Sequence, residues 1–257
     1  MHASVDDVAV QWDQIPGHGS RSIVLLHGIG GDRTVWSDQL AAFAEVGTVI
    51  ALDMPGVSSA LPPDVSGFPA YLSFIWRVLD AAGVRDAVLV GNSFGGAVAL
   101  GATLAAPARV RGLALACSIG FSVPGIARPV IDELHPFDTL RRMYHDPVRM
   151  LPRMTRSRGL RAAAPLRVGQ LMRTVPMPDF AAQLSDIDVP TSVIWGRQDG
   201  IIPLAVGEAL ALRIRGAELC VLEQCGHLPH VEQSSLFNDH IGRLMERVER
   251  REREPLR

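Results

Sequence analysis

Six short apolar runs constrain this chain more than any other feature. "SIVLLHG", "GTVIALDMPG", "DAVLVGNS", "RGLALACSIG", "TSVIWGRQD" and "AELCVLEQCGH" each have strand length and turn-forming residues at their C-terminal ends. They are apolar on both faces, the pattern of parallel strands covered by helices on both sides. Parallel neighbours need helical crossovers. Helical patterns lie between the runs: "TVWSDQLAAFAEV", "PAYLSFIWRVLDAAG", "GAVALGATLAA", "PLAVGEALALRI" and "SLFNDHIGRLMERVERRERE". The expected fold class is α/β, a doubly wound and mostly parallel sheet. "VAVQWDQ" should add one or two edge strands, and the charged end of the last helix should fray into solvent. At 257 residues and 47% hydrophobic content, the chain can bury one large core of this kind.

The alternation breaks once. From 122 to 178 no strand is evident, and helical fragments such as "FDTLRRMYH" and "RAAAPLRVGQLMR" are scattered among prolines. A structureless loop of that length does not belong inside a compact domain, so this interval reads as an inserted helical cap, with 1–121 and 179–257 forming the core. It carries ten arginines against four acidic residues, in a chain whose net charge is only -2. The bland reading is a solvated basic excursion. The sharper one is a lid whose arginine grips an anionic substrate group, with Arg141, Arg142, Arg149, Arg153 and Arg156 as candidates.

Chemistry concentrates at "VLVGNSFGGAVAL", where an apolar run passes through a glycine-flanked serine into a helix-forming segment. A serine attacks a carbonyl only if a base takes its proton and its oxygen stands clear of the backbone. A sharp strand-to-helix turn achieves the second, and crowds strand against helix so closely that Gly91 and Gly95 are needed on either side of Ser93. A plain glycine-rich loop or a phosphate-binding turn is the alternative.

If Ser93 is the nucleophile, its partners should follow other strands, because open α/β sheets bind ligands beyond the carboxyl ends of their strands. "RQDG" places Asp199 after "TSVIWG", and "CGHLPH" places His227 after "AELCVLEQ". His227 would act as the base, and Asp199 would fix its tautomer and stabilise the imidazolium. Asp53 and His230 are the competitors, His230 being expected on the final helix. Gly226 favours His227 by letting the chain turn sharply before it. The oxyanion formed on attack needs two N–H donors. Phe94, opening the helix after Ser93, offers one. Ile29 in the turn "LHGIGG" offers the other, with Gly28 beside the substrate and His27 holding the loop by hydrogen bonds. That turn lacks G-x-G-x-x-G spacing, and a lysine-free chain has no Walker lysine.

"LHGIGG" with a tryptophan five residues later, "DMPG", "GNSFGG", "WGRQDGIIP" and "CGHLPHVEQ" together resemble the α/β-hydrolase superfamily across nearly the whole chain. The order Ser93, Asp199, His227 is that family's order. Within it, "GNSFGG" and "QCGH" resemble the meta-cleavage product hydrolases, which cut a carbon-carbon bond beside a ketone. That resemblance implies a substrate-binding role for Asn92 and for a cap arginine. Leu228, also expected at the substrate, stands where those enzymes carry tryptophan, and Asp38 where they carry asparagine.

The primary expectation is a serine hydrolase acting on a small ester, lactone, thioester or vinylogous ketone. A lyase or cyclase using the same residues is the alternative, and a non-catalytic receptor is disfavoured by the complete set of three. Ser93 also disfavours the carboxylate-nucleophile dehalogenases and epoxide hydrolases of this fold. No cofactor is expected, nor a metal, since no histidine pair has ligand spacing with a carboxylate on one element. The expected partner is a small molecule, with an anionic group and a homodimer as open candidates. Neither nucleic acid nor membrane is expected. Cys117, Cys220 and Cys225 are an odd number on or beside apolar runs, read as reduced thiols of an unprocessed, soluble, cytoplasmic protein.

Overall fold

The computed structural model describes residues 1–18, 21–126, 136–156 and 164–253, excepting the side chains of 136, 137, 152–156 and 164–168. Its strands are β1 (His2–Val5), β2 (Val8–Ile15), β3 (Ser22–Leu26), β4 (Thr48–Leu52), β5 (Ala87–Asn92), β6 (Val110–Ala116), β7 (Thr191–Gly196) and β8 (Glu218–Leu222). They form one eight-stranded sheet in the order β1-β2-β4-β3-β5-β6-β7-β8. The edge pairings β1·β2 and β2·β4 are antiparallel and the rest are parallel. All six apolar runs and the N-terminal edge segment are strands.

Alternation inside each strand explains why the runs are apolar on both sides. In β3, Val24 and Leu26 enter one core while Ile23 and Leu25 enter the other. In β6, Leu113 and Leu115 share the first core with Phe94, whereas Ala114 and Ala116 share the second with Phe237 and Ile241. Successive side chains of a strand point to opposite faces, so a sheet covered twice needs both sets apolar.

Helices α1 (Ser37–Phe43), α2 (Gly67–Ala81), α3 (Phe94–Ala105), α7 (Leu204–Arg213) and α9 (Ser234–Arg253) match the five helical patterns. Helix α3 is built of small and apolar residues and is buried from Phe94 through Thr103, as a helix apolar all round should be. Helix α9 buries one stripe, Phe237, Ile241, Leu244, Met245 and Val248. Its charged end does not fray within the described residues: it stays helical to Arg253, with Arg21 paired to Glu249 at 3.2 Å and Arg251 to Asp188 at 2.7 Å. His230 is not on that helix. It lies on a separate turn, α8 (Pro229–Glu232), interrupted at Gln233.

Between β6 and β7 stand α4 (Pro136–Met143), α5 (Pro147–Arg156) and α6 (Ala164–Thr174), with no strand among the described residues. Helix α5 carries Pro152 inside it, a residue that removes a backbone donor from a helix interior. Helix α6 anchors this region through Leu171, and Val175 just beyond it is also fully buried, both packed into the first core.

Candidate active site

Strand β3 has β4 on one side and β5 on the other, so the chain reverses direction across the sheet at β3/β5. Ligands of open α/β sheets bind beyond strand ends at such a switch point. Ser93 follows β5, and the turn after Leu26 follows β3.

Ser93 has φ +54° and ψ −115°, a backbone conformation side chains avoid and one that costs on the order of 1–3 kcal/mol. The surroundings hold it there. Its N–H donates to the Ala116 carbonyl at 3.0 Å, and its own carbonyl accepts from Gly96 at 3.0 Å. A Cβ on Gly91 would lie 2.3 Å from the Gly95 oxygen, and one on Gly95 only 2.1 Å from the Leu26 oxygen. Both glycines are thus required by close approach of strand, helix and the neighbouring β3 end.

Opposite Ser93, the chain turns between Gly28 and Gly31, whose N–H donates to the Gly28 carbonyl at 3.2 Å, with Gly30 at φ +82°. This leaves the Ile29 N–H outside the turn's own hydrogen bond. Phe94 opens α3, so its N–H has no acceptor within the helix. A Cβ on Gly28 would sit 3.0 Å from Ser93 Cβ, which brings this turn against the serine. Beneath it, fully buried His27 accepts from the Met54 N–H through Nε2 at 2.9 Å, so Nδ1 carries the proton and donates to the Gly28 carbonyl at 2.8 Å. Burial pushes its pKa down and keeps it neutral.

Asp199 and His227 meet across the ends of β7 and β8. The His227 Nδ1 lies 2.8 Å from Asp199 Oδ2, and both residues are buried. Asp199 Oδ1 accepts from Ile201 and Ile202 N–H at 2.8 and 2.9 Å, so the carboxylate shapes its own turn with one oxygen and meets the imidazole with the other. Gln198 ties the two loops together: its N–H donates to the Cys225 carbonyl, and its Oε1 accepts from the Cys225 N–H, each at 2.9 Å. The competing groups lie elsewhere. Asp53 is paired with Arg33, whose backbone N–H it also accepts at 2.8 Å. His230 is stacked on Trp36 at 4.0 Å between ring centroids, and burial pushes its pKa down to about 3.

Other expected residues have unexpected surroundings. Asn92 is buried, and its Nδ2 donates to the carbonyls of Ala116 at 3.1 Å and His227 at 3.0 Å, so its amide braces the base loop. Leu228 is half-buried. Arg141, Arg142 and Arg149 are exposed, and the side chain of Arg153 lies outside the described residues. Gly226 does not make the sharp turn. The positive φ, +50°, belongs to Gln224, while Gly226 is needed because a Cβ there would lie 2.4 Å from the Met143 oxygen.

Cys117 escaped the sequence reading as a site residue. Its Sγ and the ligand atoms of Asp199 and His227 lie within 4.8 Å of one another. Burial, reinforced by the Asp199 charge, raises its pKa well above the ordinary thiol value, which keeps it a thiol, and its Sγ donates to the Gly226 carbonyl at 3.8 Å. All three cysteines are free; Cys220, only half-buried, contacts His240 Nε2 at 2.7 Å.

A mostly parallel sheet with a strained serine after its central strand, and a carboxylate-histidine pair after later ones, defines a class of protein. The sequence matches the alpha/beta hydrolase family over residues 23–240, and the chain belongs to that family. It is an enzyme of hydrolase type. It is 30% identical over 259 residues to the 2-hydroxy-6-oxononadienedioate/2-hydroxy-6-oxononatrienedioate hydrolase of Burkholderia vietnamiensis, covering 90% of this chain and 89% of that one. It is 31% identical over 266 residues to the dihydrolipoyllysine-residue acetyltransferase component of the acetoin cleaving system of Cupriavidus necator, covering 93% of this chain and 68% of that protein. The meta-cleavage product hydrolase of Pseudomonas fluorescens superposes with a TM-score of 0.81 at 20% identity, over 96% of this chain and 97% of the other, a likeness of fold. Among the described residues no helix is long and apolar enough to cross a membrane.

Proposed function

We propose that this chain is a serine hydrolase in which Ser93 attacks a carbonyl carbon, His227 takes the serine proton and returns it to the leaving group, and Asp199 holds the imidazole. The observation that carries this reading is the 2.8 Å contact of His227 Nδ1 with Asp199 Oδ2, two loops away from a serine held at φ +54°. With Nδ1 bound to the carboxylate, Nε2 is the nitrogen left to serve as base. The N–H groups of Phe94 and Ile29 receive the oxyanion, each contributing on the order of 3 kcal/mol in such a role. Water then attacks the acyl-serine with His227 again as base, and the acid product leaves. Asn92 steadies the base loop through the His227 carbonyl.

The preferred substrate is a vinylogous ketone with a carbon-carbon bond to be hydrolysed, of the 2-hydroxy-6-oxo-dienoate kind named for the Burkholderia relative. We assign 122–178 as a cap over this site and 1–121 with 179–257 as the core. Turnover of a panel of p-nitrophenyl esters beside 2-hydroxy-6-oxo-dienoates identifies the class. Ser93→Ala is expected to lower kcat on the order of a millionfold with folding intact, and a fluorophosphonate should label Ser93 by mass spectrometry. Retention of more than a few per cent of activity by that variant removes Ser93 from the mechanism.

A further inference from the structure

Three contacts, two of them backbone to backbone, join the cap to the two loops that carry the acid and the base. The Arg142 carbonyl, at the end of α4, accepts from the Gly200 N–H of the acid loop at 3.0 Å. The next carbonyl, of Met143, accepts from the N–H of His227 itself at 2.7 Å. The last carbonyls of a helix have no acceptor role within it, and here the orphan pair is satisfied by the acid and base loops together. The first approach is tight and the second requires glycine. A Cβ on Gly200 would meet the Arg142 Cα and oxygen at 3.0 Å, and one on Gly226 the Met143 oxygen at 2.4 Å.

The third contact runs through Glu232, which "CGHLPHVEQ" places five residues after His227. Its Oε1 accepts from the Gly226 N–H and its Oε2 from the His145 N–H, each at 2.8 Å. One carboxylate therefore bridges the residue before the base and the segment that follows α4. Half-buried, with Tyr144, His145 and Cys225 as its titratable neighbours, it has no role in holding Ser93, Asp199 or the oxyanion turn. An ionised carboxylate offers acceptors on both oxygens, which two facing N–H groups demand and an amide cannot supply.

We propose that Glu232 is a positioning residue that couples seating of α4 to the alignment of His227, so that the base is in place only when the cap is docked. This rests on the serine-hydrolase reading above. Loosening the bridge lets the base loop drift without altering the substrate's other contacts, and misplacement of a catalytic group acts on kcat more than on KM.

The test uses the full chain and a p-nitrophenyl ester. Glu232→Gln and Glu232→Ala should each lower kcat by roughly 10- to 100-fold, leave KM within about threefold, and slow fluorophosphonate labelling of Ser93 by the same factor as kcat. His145→Pro removes the cap-side N–H donor, and His145→Ala controls for loss of the imidazole. Combined with Glu232→Ala, His145→Pro should lower kcat no further than Glu232→Ala alone. Parental kcat in both Glu232 variants, or additive losses in the double variant, overturns the proposal. Should the variants not fold, amide exchange in the parent decides: the amides of His145, Gly200, Gly226 and His227 should open as one unit, and independent rates overturn the coupling. A parallel Ser93→Ala measurement separates the two readings. Activity surviving in that variant takes both down, whereas an inactive Ser93→Ala beside fully active Glu232 variants removes only the coupling.

Discussion

The turn at Ser93 and the helices between β6 and β7 are held by different means. Around Ser93, backbone packs on backbone: Gly91, Gly95 and the Leu26 carbonyl leave no room for one methyl group, and every residue of β5 is buried. Among the described residues, the helices between β6 and β7 meet the rest of the chain through side chains such as Leu171, Val175, Met143 and Met172, through the carbonyls that end α4 and through the His145 N–H on Glu232, while Val148 and Leu151 of α5 stay largely exposed. Steric exclusion fixes a conformation that hydrogen bonds alone would not. On the proposed reading, the strained part of the site is built into the sheet, and the part that would admit a substrate is attached through side chains and helix ends.

Methyl groups added to glycines should break that symmetry of description most sharply. Gly95→Ala places a Cβ 2.1 Å from the Leu26 oxygen, and backbone has to move to accept it. A loss of about 3 kcal/mol or more is expected in denaturant unfolding, at the upper end for overpacking. Gly200→Ala meets α4 at 3.0 Å, where a shift of a few tenths of an ångström suffices. It should lose about 1 kcal/mol or less. Equal losses from the two would mean that the cap is held as rigidly as the sheet.

The same difference governs what could be read from the chain. Strands apolar on both faces announce a twice-covered sheet, and a serine between glycines announces the turn, because each pattern has few physical alternatives. The meeting of Asp199 with His227 was legible because both follow strands. The surroundings of Asn92 and Gly226 were not: what an amide donates to, and what a missing Cβ avoids, depend on segments 135 and 83 residues away in sequence. Glu232 was hidden by an ordinary place on a short helical turn. A carboxylate there signals nothing until the two amides it bridges are seen.

A second prediction tests whether burial under the sheet has an acid cost that the cap does not share. His230 is fully buried against Trp36 and Phe237, with His227 and His27 as its charged-form repellents, and its pKa is pushed down from 6.5 to about 3. The unfolded chain therefore binds a proton that the folded one refuses across that interval. Stability is complete above the ordinary histidine value and falls as pH drops below about 6.5, down to about 3. At pH 5.5, one unit below the ordinary value, the loss from this ring is about 1.4 kcal/mol. His230→Phe should reduce the difference in unfolding free energy between pH 7.5 and pH 5.5 by about that amount, buried His27 supplying part of what remains. An unchanged difference would mean that His230 is protonated in the folded protein.

The smallest effect is expected at the exposed arginines of α4 and α5. Arg141, Arg142 and Arg149 are exposed, so their charges act through water and are screened within a Debye length of about 8 Å at physiological salt. Arg142 does contribute a contact to the acid loop, but through its carbonyl, which an alanine also possesses. Each single substitution to alanine should therefore change KM for a carboxylated substrate by less than about threefold, within the range of exposed ion pairs. The three together should reduce the salt dependence of kcat/KM, since a common positive field accelerates encounter with an anion more than it holds one. A neutral methyl ester should show neither effect. One arginine among these three that weakens the acid by about 2 kcal/mol and spares the ester would show a desolvated, bidentate grip, and with it a cap that closes far enough to strip water from its own surface.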